Sequence, residues 1–121
     1  GPYEQELGAV CAPRLDGLIV PGGIGAWMIR GHPGLKKLIR EMDAAHKPIA
    51  TVGRGPKILL SAGVLSGRTL TCGPEMRDDL IAAAIDYREE PVVQDGNLVS
   101  CRGTEDLPLW GPVWMSMFTQ A

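Results

Sequence analysis

Two short apolar runs in this chain each stop at a glycine turn, with one amphipathic helix between them, and that punctuation constrains the fold more than any other feature. The first run, Leu15 to Val20 (LDGLIV), ends at Pro21-Gly22-Gly23, and the second, Ile49-Ala50-Thr51-Val52, ends at Gly53-Arg54-Gly55. Short β-branched runs bounded by glycine read as buried strands. From Pro33, the apolar positions Leu35, Leu38, Ile39, Met42 and Ala45 recur at helical spacing, while Lys36, Lys37, Arg40, Glu41 and Asp43 take the other face. Lys47-Pro48 ends that helix, because the residue before a proline is driven out of the α region. Strand, helix, strand is a βαβ unit, and its right-handed crossover makes the two strands parallel.

Downstream the same grammar continues. Pro56 opens a short helix over KILLSAGVL that closes around Gly63. Gly67 to Thr71 reads as a brief strand, and Arg77 to Ile85 as a helix with acidic and apolar positions at helical spacing. PVVQDGNLVSC is two β-branched runs about Asp95-Gly96, which predicts a hairpin. Thr104 is a candidate N-cap for a last helix, with Glu105 and Asp106 in its first turn and Leu107, Trp110, Trp114 and Met117 on one stripe. Pro112 predicts a kink or restart near Trp110.

With 121 residues the chain has room for one domain, and the expectation is a single domain over residues 1–121, or a fragment of a longer one, with 1–14 as an irregular lead-in. Hydrophobic residues are 45% of the chain but aromatics only 5%, and there are 16 glycines, so the core is aliphatic and the backbone turns tightly. That composition suits α/β layers. No apolar run reaches the ~20 residues of a membrane span. A net charge of −2 with dispersed basic residues gives no footprint for nucleic acid or an anionic membrane. Cys11, Cys72 and Cys101 lack metal or disulfide spacing, so the expectation is a reducing, cytoplasmic setting with no metal and no cofactor. No leader pattern opens the chain, and Gly1-Pro2 has the form of a scar left by tag removal.

In parallel α/β sheets, ligands bind beyond the carboxyl ends of the strands. Two loops fall there, Pro21-Gly22-Gly23 and Gly53-Arg54-Gly55-Pro56, and the second joins a strand directly to a helix. Such a turn has the geometry of a nucleophile elbow, which lifts one side chain above the sheet and turns backbone N–H groups toward a developing oxyanion. The apex candidates are Gly53 and Arg54, and neither is a conventional nucleophile.

Three stretches, DGLIVPGG, KPIATVGRGPKILLSAGVLSGRTLT and EPVVQDGNLVSCRGTEDLP, together resemble the DJ-1/PfpI family from about Asp16 to Pro108. The resemblance implies a flavodoxin-like three-layer sandwich of the class I glutamine amidotransferase type, with a mostly parallel sheet and a β-hairpin. It further implies cysteine peptidase, glyoxalase, deglycase or chaperone activity, usually in dimers or hexamers. Gly53 stands where the resemblance places the elbow cysteine and Arg54 where PfpI-like members have histidine, although Ala50, Gly55 and Pro56 match. The family's first strand and helix, with the acidic partner of the cysteine, have no counterpart before Asp16. The expectation is therefore a pseudoenzyme that serves assembly or small-anion binding through Gly22, Gly23, Arg54 and Gly55. The alternative is a cysteine hydrolase, glyoxalase or deglycase whose nucleophile was replaced or is completed by another chain.

Each candidate also has a plainer role. Arg54 can hold an anion beside the free N–H groups of Gly22 and Gly23, or pair with a carboxylate such as Glu75 or Asp106. Cys72 is the alternative thiol on the active-site side, whereas Cys101, beside Arg102, fits a buried structural thiol better than a displaced nucleophile. His32 and His46 flank the amphipathic helix and suit its caps. Trp110, Trp114, Met115, Met117 and Phe118 exceed what one core face needs, which points to contact of some of them with another subunit or domain. A homo-oligomer, or a companion chain that supplies the missing sheet edge, is the expected partner.

Overall fold

The computed structural model describes residues 15–22 and 33–119. β1 (Leu18–Pro21), α1 (Pro33–Ala44) and β2 (Ile49–Val52) form the expected βαβ unit, with Leu18 to Pro21 in register against Ile49 to Val52 as a parallel pair. α1 buries Leu35, Leu38, Ile39 and Met42, the face that the periodicity marks. α2 (Pro56–Ala62) carries its proline in the first turn and ends at Gly63, whose φ of 77° makes a left-handed cap. β3 (Thr69–Leu70) follows, then a single 3₁₀ turn at Pro74–Met76 that runs into α3 (Arg77–Ala82). β4 (Asp86–Tyr87) pairs with β3 in parallel, a strand of two residues that is too short to leave an alternating pattern. β5 (Val92–Asp95) and β6 (Leu98–Cys101) form the antiparallel hairpin.

The main sheet has the order β1-β2-β6-β5, with β2 and β6 parallel. Strand alternation sends successive residues to opposite faces. Ile49 and Leu98 join Leu38, Ile39, Met42, Ile58 and Leu59 under α1 and α2, while Ala50, Val99 and Cys101 face Trp110 and Met117 of α4 (Leu107–Ser116). Helices therefore cover both faces of a mostly parallel sheet, the flavodoxin-like sandwich.

Three expectations need correction. The hairpin loop is Gly96-Asn97, one residue beyond Asp95-Gly96, because Asp95 still pairs with Leu98 and only Gly96, with φ of 58°, takes the left-handed conformation. Thr104 makes no side-chain cap; Thr104–Asp106 is a 3₁₀ turn, and Asp106 is instead bonded by Arg102. α4 runs through Pro112 without a restart, and Leu107 lies on its exposed side. Gly111 precedes the proline, so the position next to its ring carries no side chain to crowd it.

A polar hub closes the end of the sheet away from the glycine turns. Arg68 donates to Asp43 Oδ1 at 2.9 Å, to the Asp95 carbonyl at 2.7 Å and to Asn97 Oδ1 at 2.8 Å. Asn97 in turn donates to Asp43 Oδ1 and to the Lys47 carbonyl, both at 3.0 Å. These bonds tie α1, β3 and the hairpin loop together.

Candidate functional site: the glycine turn between β2 and α2

β2 leaves the sheet at Val52 and turns through Gly53, whose φ of 59° is left-handed. A side chain in that conformation carries strain, and glycine carries little. Backbone bonds hold the turn from both sides: the Gly53 N–H donates to the Cys101 carbonyl at 3.0 Å, and the Gly53 carbonyl accepts from the Gly73 N–H at 2.8 Å. The Gly55 N–H returns to the Val52 carbonyl at 3.0 Å, and α2 starts at the next residue. This is the strand-turn-helix of a nucleophile elbow. A Cβ placed on Gly53 would meet its nearest neighbour, the Arg102 carbonyl oxygen, at 3.6 Å, an ordinary contact. The elbow has room for a side chain and carries none.

Gly22 and Gly55 serve close packing. A Cβ on Gly22 would lie 2.7 Å from the Arg54 nitrogen, and one on Gly55 would strike the Val20 carbonyl oxygen and Thr51 Oγ1. The end of β1 thus sits directly against the elbow. The Gly22 N–H donates to the Val52 carbonyl at 3.1 Å, so it is not the free anion-binding group expected from sequence. Gly23 lies outside the described residues.

Arg54 extends outward, its side chain 63% exposed, with Nε 3.9 Å from Glu75 Oε1. Asp106, the other carboxylate considered for it, is buried and engaged by Arg102 through two bonds of 3.2 Å. The Arg102 guanidinium, by those bonds, holds the Asp106 carboxyl below the usual range. Glu75 also folds back over Gly73: a Cβ there would stand 2.9 Å from Glu75 Oε1. Gly73 and the Arg102 carbonyl are parts of the elbow wall that sequence reasoning missed. Both contribute backbone atoms, which leave no mark in side-chain chemistry.

The two described thiols, Cys72 and Cys101, are both buried. Cys72 is fully buried, and burial, with the charges of Glu75 and Asp79, pushes its pKa up to about 11. Burial and the Asp106 charge raise Cys101 to about 11 as well, against a smaller lowering from the Gly103 backbone. A thiol so shifted is almost wholly protonated at neutral pH and so unreactive. Cys11 and His32 lie outside the described residues. His46 sits just past the end of α1, with φ of 55° and its N–H on the Asp43 carbonyl at 2.9 Å. It precedes β2, whereas the elbow follows β2, so the two occupy opposite ends of that strand. Among the described residues, no three His, Cys, Asp or Glu side chains converge as a metal site, and no helix is long and apolar enough to cross a membrane.

The sequence matches the DJ-1/PfpI family over residues 2–117. The chain belongs to the DJ-1/PfpI family. It is similar to the deglycase PfpI of Pyrococcus furiosus, 42% identical over 97 residues, and to a deglycase of Pyrococcus abyssi, 41% identical over the same length. Each alignment covers 80% of this chain, which spans 58% of either relative. Among solved structures it is similar to a two-domain protein of Anabaena variabilis containing DJ-1/ThiJ/PfpI-like and ferritin-like domains, with a TM-score of 0.87 and 28% identity over 91% of this chain and 32% of that one. Drosophila melanogaster DJ-1beta is likewise similar, with a TM-score of 0.80 and 26% identity over 94% of this chain and 62% of that one. Within this DJ-1/PfpI member the elbow backbone is intact, and its apex is Gly53.

Proposed function

We propose that this chain is a DJ-1/PfpI domain that retains the family's elbow as a structural and anion-binding feature and does not itself perform cysteine chemistry. One observation carries the reading: the elbow apex is Gly53, left-handed and open to a side chain, while Cys72 and Cys101 are buried with pKa values pushed up to about 11. Arg54 is the residue that would hold a small carboxylate or phosphate, releasing Glu75 to do so. A partner is part of the proposal. β1 is one of the two edge strands of the described main sheet, β5 being the other; Leu18 and Gly22 direct their N–H groups toward β2, so the alternation turns the polar backbone of Ile19 outward. A second copy or a companion chain that paired with this edge would cover it. A cytoplasmic setting belongs to the same proposal, since free thiols persist in reducing compartments.

Methylglyoxal turnover by the chain tests the reading, alongside calorimetric titration with inorganic phosphate and acetate. The expected result is no turnover above buffer and anion binding that Arg54→Ala abolishes. A second reading, a deglycase completed by another chain or by Cys72, is favoured by the similarity to named deglycases. Turnover that disappears in Cys72→Ser would establish it in place of the first.

A further inference from the structure

The turn at Gly53 is bordered by one cation and two acceptors. Arg54 places its Nε 3.9 Å from Glu75 Oε1, with both side chains more than half exposed. Glu75 can lie there because residue 73 is glycine: its two carboxylate oxygens and Cδ stand 2.9–3.1 Å from where a Cβ on Gly73 would be. The backbone itself does not call for glycine, since φ of −59° and ψ of 146° suit any residue. The second acceptor is the Arg102 carbonyl, 3.6 Å from the Cβ position of Gly53. Arg102 donates its N–H to the Pro91 carbonyl at 3.3 Å, one step beyond the Val92 and Cys101 pair, and proline has no N–H to return. The ladder therefore supplies no donor to that carbonyl oxygen. The Arg102 side chain is already committed to Asp106.

Charge balance selects the ligand. A bare carboxylate or phosphate that takes Arg54 breaks its pairing with Glu75 and leaves two anions side by side, a repulsion that offsets much of what the new pair contributes. A ligand with an ammonium group beside its carboxylate exchanges one pair for two. Its carboxylate meets the Arg54 guanidinium while its N–H groups donate to Glu75 and to the Arg102 carbonyl, so no charge is left alone. An α-amino acid carries both groups on one carbon, and the Arg54 and Glu75 side chains are exposed enough to open around it. The apex has room: among the described residues, chain neighbours apart, only the Arg102 carbonyl oxygen stands within 4 Å of a Cβ on Gly53.

We propose that the Gly53 turn is a site for a small zwitterion, the head group of an α-amino acid, with its carboxylate on Arg54 and its ammonium on Glu75 and the Arg102 carbonyl. The proposal rests on the anion-binding reading of Arg54 and adds a role for Glu75 that the reading does not require.

Free glycine and acetate differ only by the ammonium group, so titrating each into the full chain while following the Arg54 Nε–H resonance tests the proposal. The expected result is glycine bound about fivefold more tightly than acetate, the upper end for a solvent-exposed pair. Two variants should abolish that preference: Glu75→Gln, which removes the acceptor's charge, and Gly73→Ala, which keeps the charge and expels the carboxylate from its place. In Glu75→Gln, acetate should bind more tightly than in the parent chain and glycine more weakly. Unchanged circular dichroism shows that both variants fold. Equal affinities for glycine and acetate in the parent chain overturn the proposal, as does a preference that survives in both variants; acetate and phosphate binding in those cases leaves the anion-binding reading standing. A chain that binds neither glycine nor acetate nor phosphate overturns both.

Discussion

The carbonyl of Gly53 accepts the backbone N–H of Gly73 at 2.8 Å, across the gap between the end of β2 and the segment that follows β3. With the Gly53 N–H held by Cys101, the elbow is fixed by main-chain bonds that need no side chain at its apex. Its geometry therefore does not depend on an apex side chain. Gly53→Ala keeps φ left-handed at a cost of about 1–2 kcal/mol, since the added Cβ has space but the conformation is strained. Urea denaturation should show that loss with an unchanged slope, which reports an unaltered fold.

Gly53→Cys, made in a Cys11→Ser background, should add one thiol that reacts rapidly with a disulfide reagent at neutral pH. Cys72 and Cys101 should stay silent until the chain unfolds, because at about pKa 11 only on the order of one thiol in ten thousand is ionised at pH 7.

The same two thiols set a limit at high pH. Their folded-state pKa values lie above the ordinary 9.0, so the folded state binds more protons than the unfolded one between about pH 9 and pH 11. The stability they contribute is complete below pH 9 and is lost as the pH rises through 11. Denaturation midpoints should fall across that window, and a Cys72→Ala, Cys101→Ala double variant should fall less steeply.

Arg54→Ala should leave stability within about 1 kcal/mol of the parent, because its pairing with Glu75 is exposed to solvent. Binding of inorganic phosphate, in contrast, should disappear, and calorimetry separates the two effects.

Ala84 is held at φ of 60° in the turn between α3 and β4, and its side chain is exposed. Ala84→Gly should relieve that strain and raise stability by about 0.5–1 kcal/mol, read as a higher melting temperature.

Much of this architecture is legible in the residues, for physical reasons that also explain what is not. α1 is readable because Leu35, Leu38, Ile39 and Met42 mark one face against a charged one, and β2 because Ile49 to Val52 is bounded by Pro48 and Gly53. β4 escapes notice because two residues, Asp86 and Tyr87, are held by pairing with β3 and not by any pattern of their own. Thr104 has the chemistry of a cap, but Thr104–Asp106 is a 3₁₀ turn whose last residue, Asp106, is held by Arg102. At the elbow, the letters Gly53-Arg54 already show an apex that carries neither thiol nor hydroxyl. The uses of Gly22 and Gly55 for close packing are visible only in three dimensions, where the Arg54 nitrogen and the Val20 carbonyl approach them.

The central claim, an elbow kept without cysteine chemistry, is tested most directly by methylglyoxal turnover in the parent chain beside Cys72→Ser and Cys101→Ser. The account predicts that all three match the buffer rate. Turnover in the parent chain that either serine variant abolishes would contradict it.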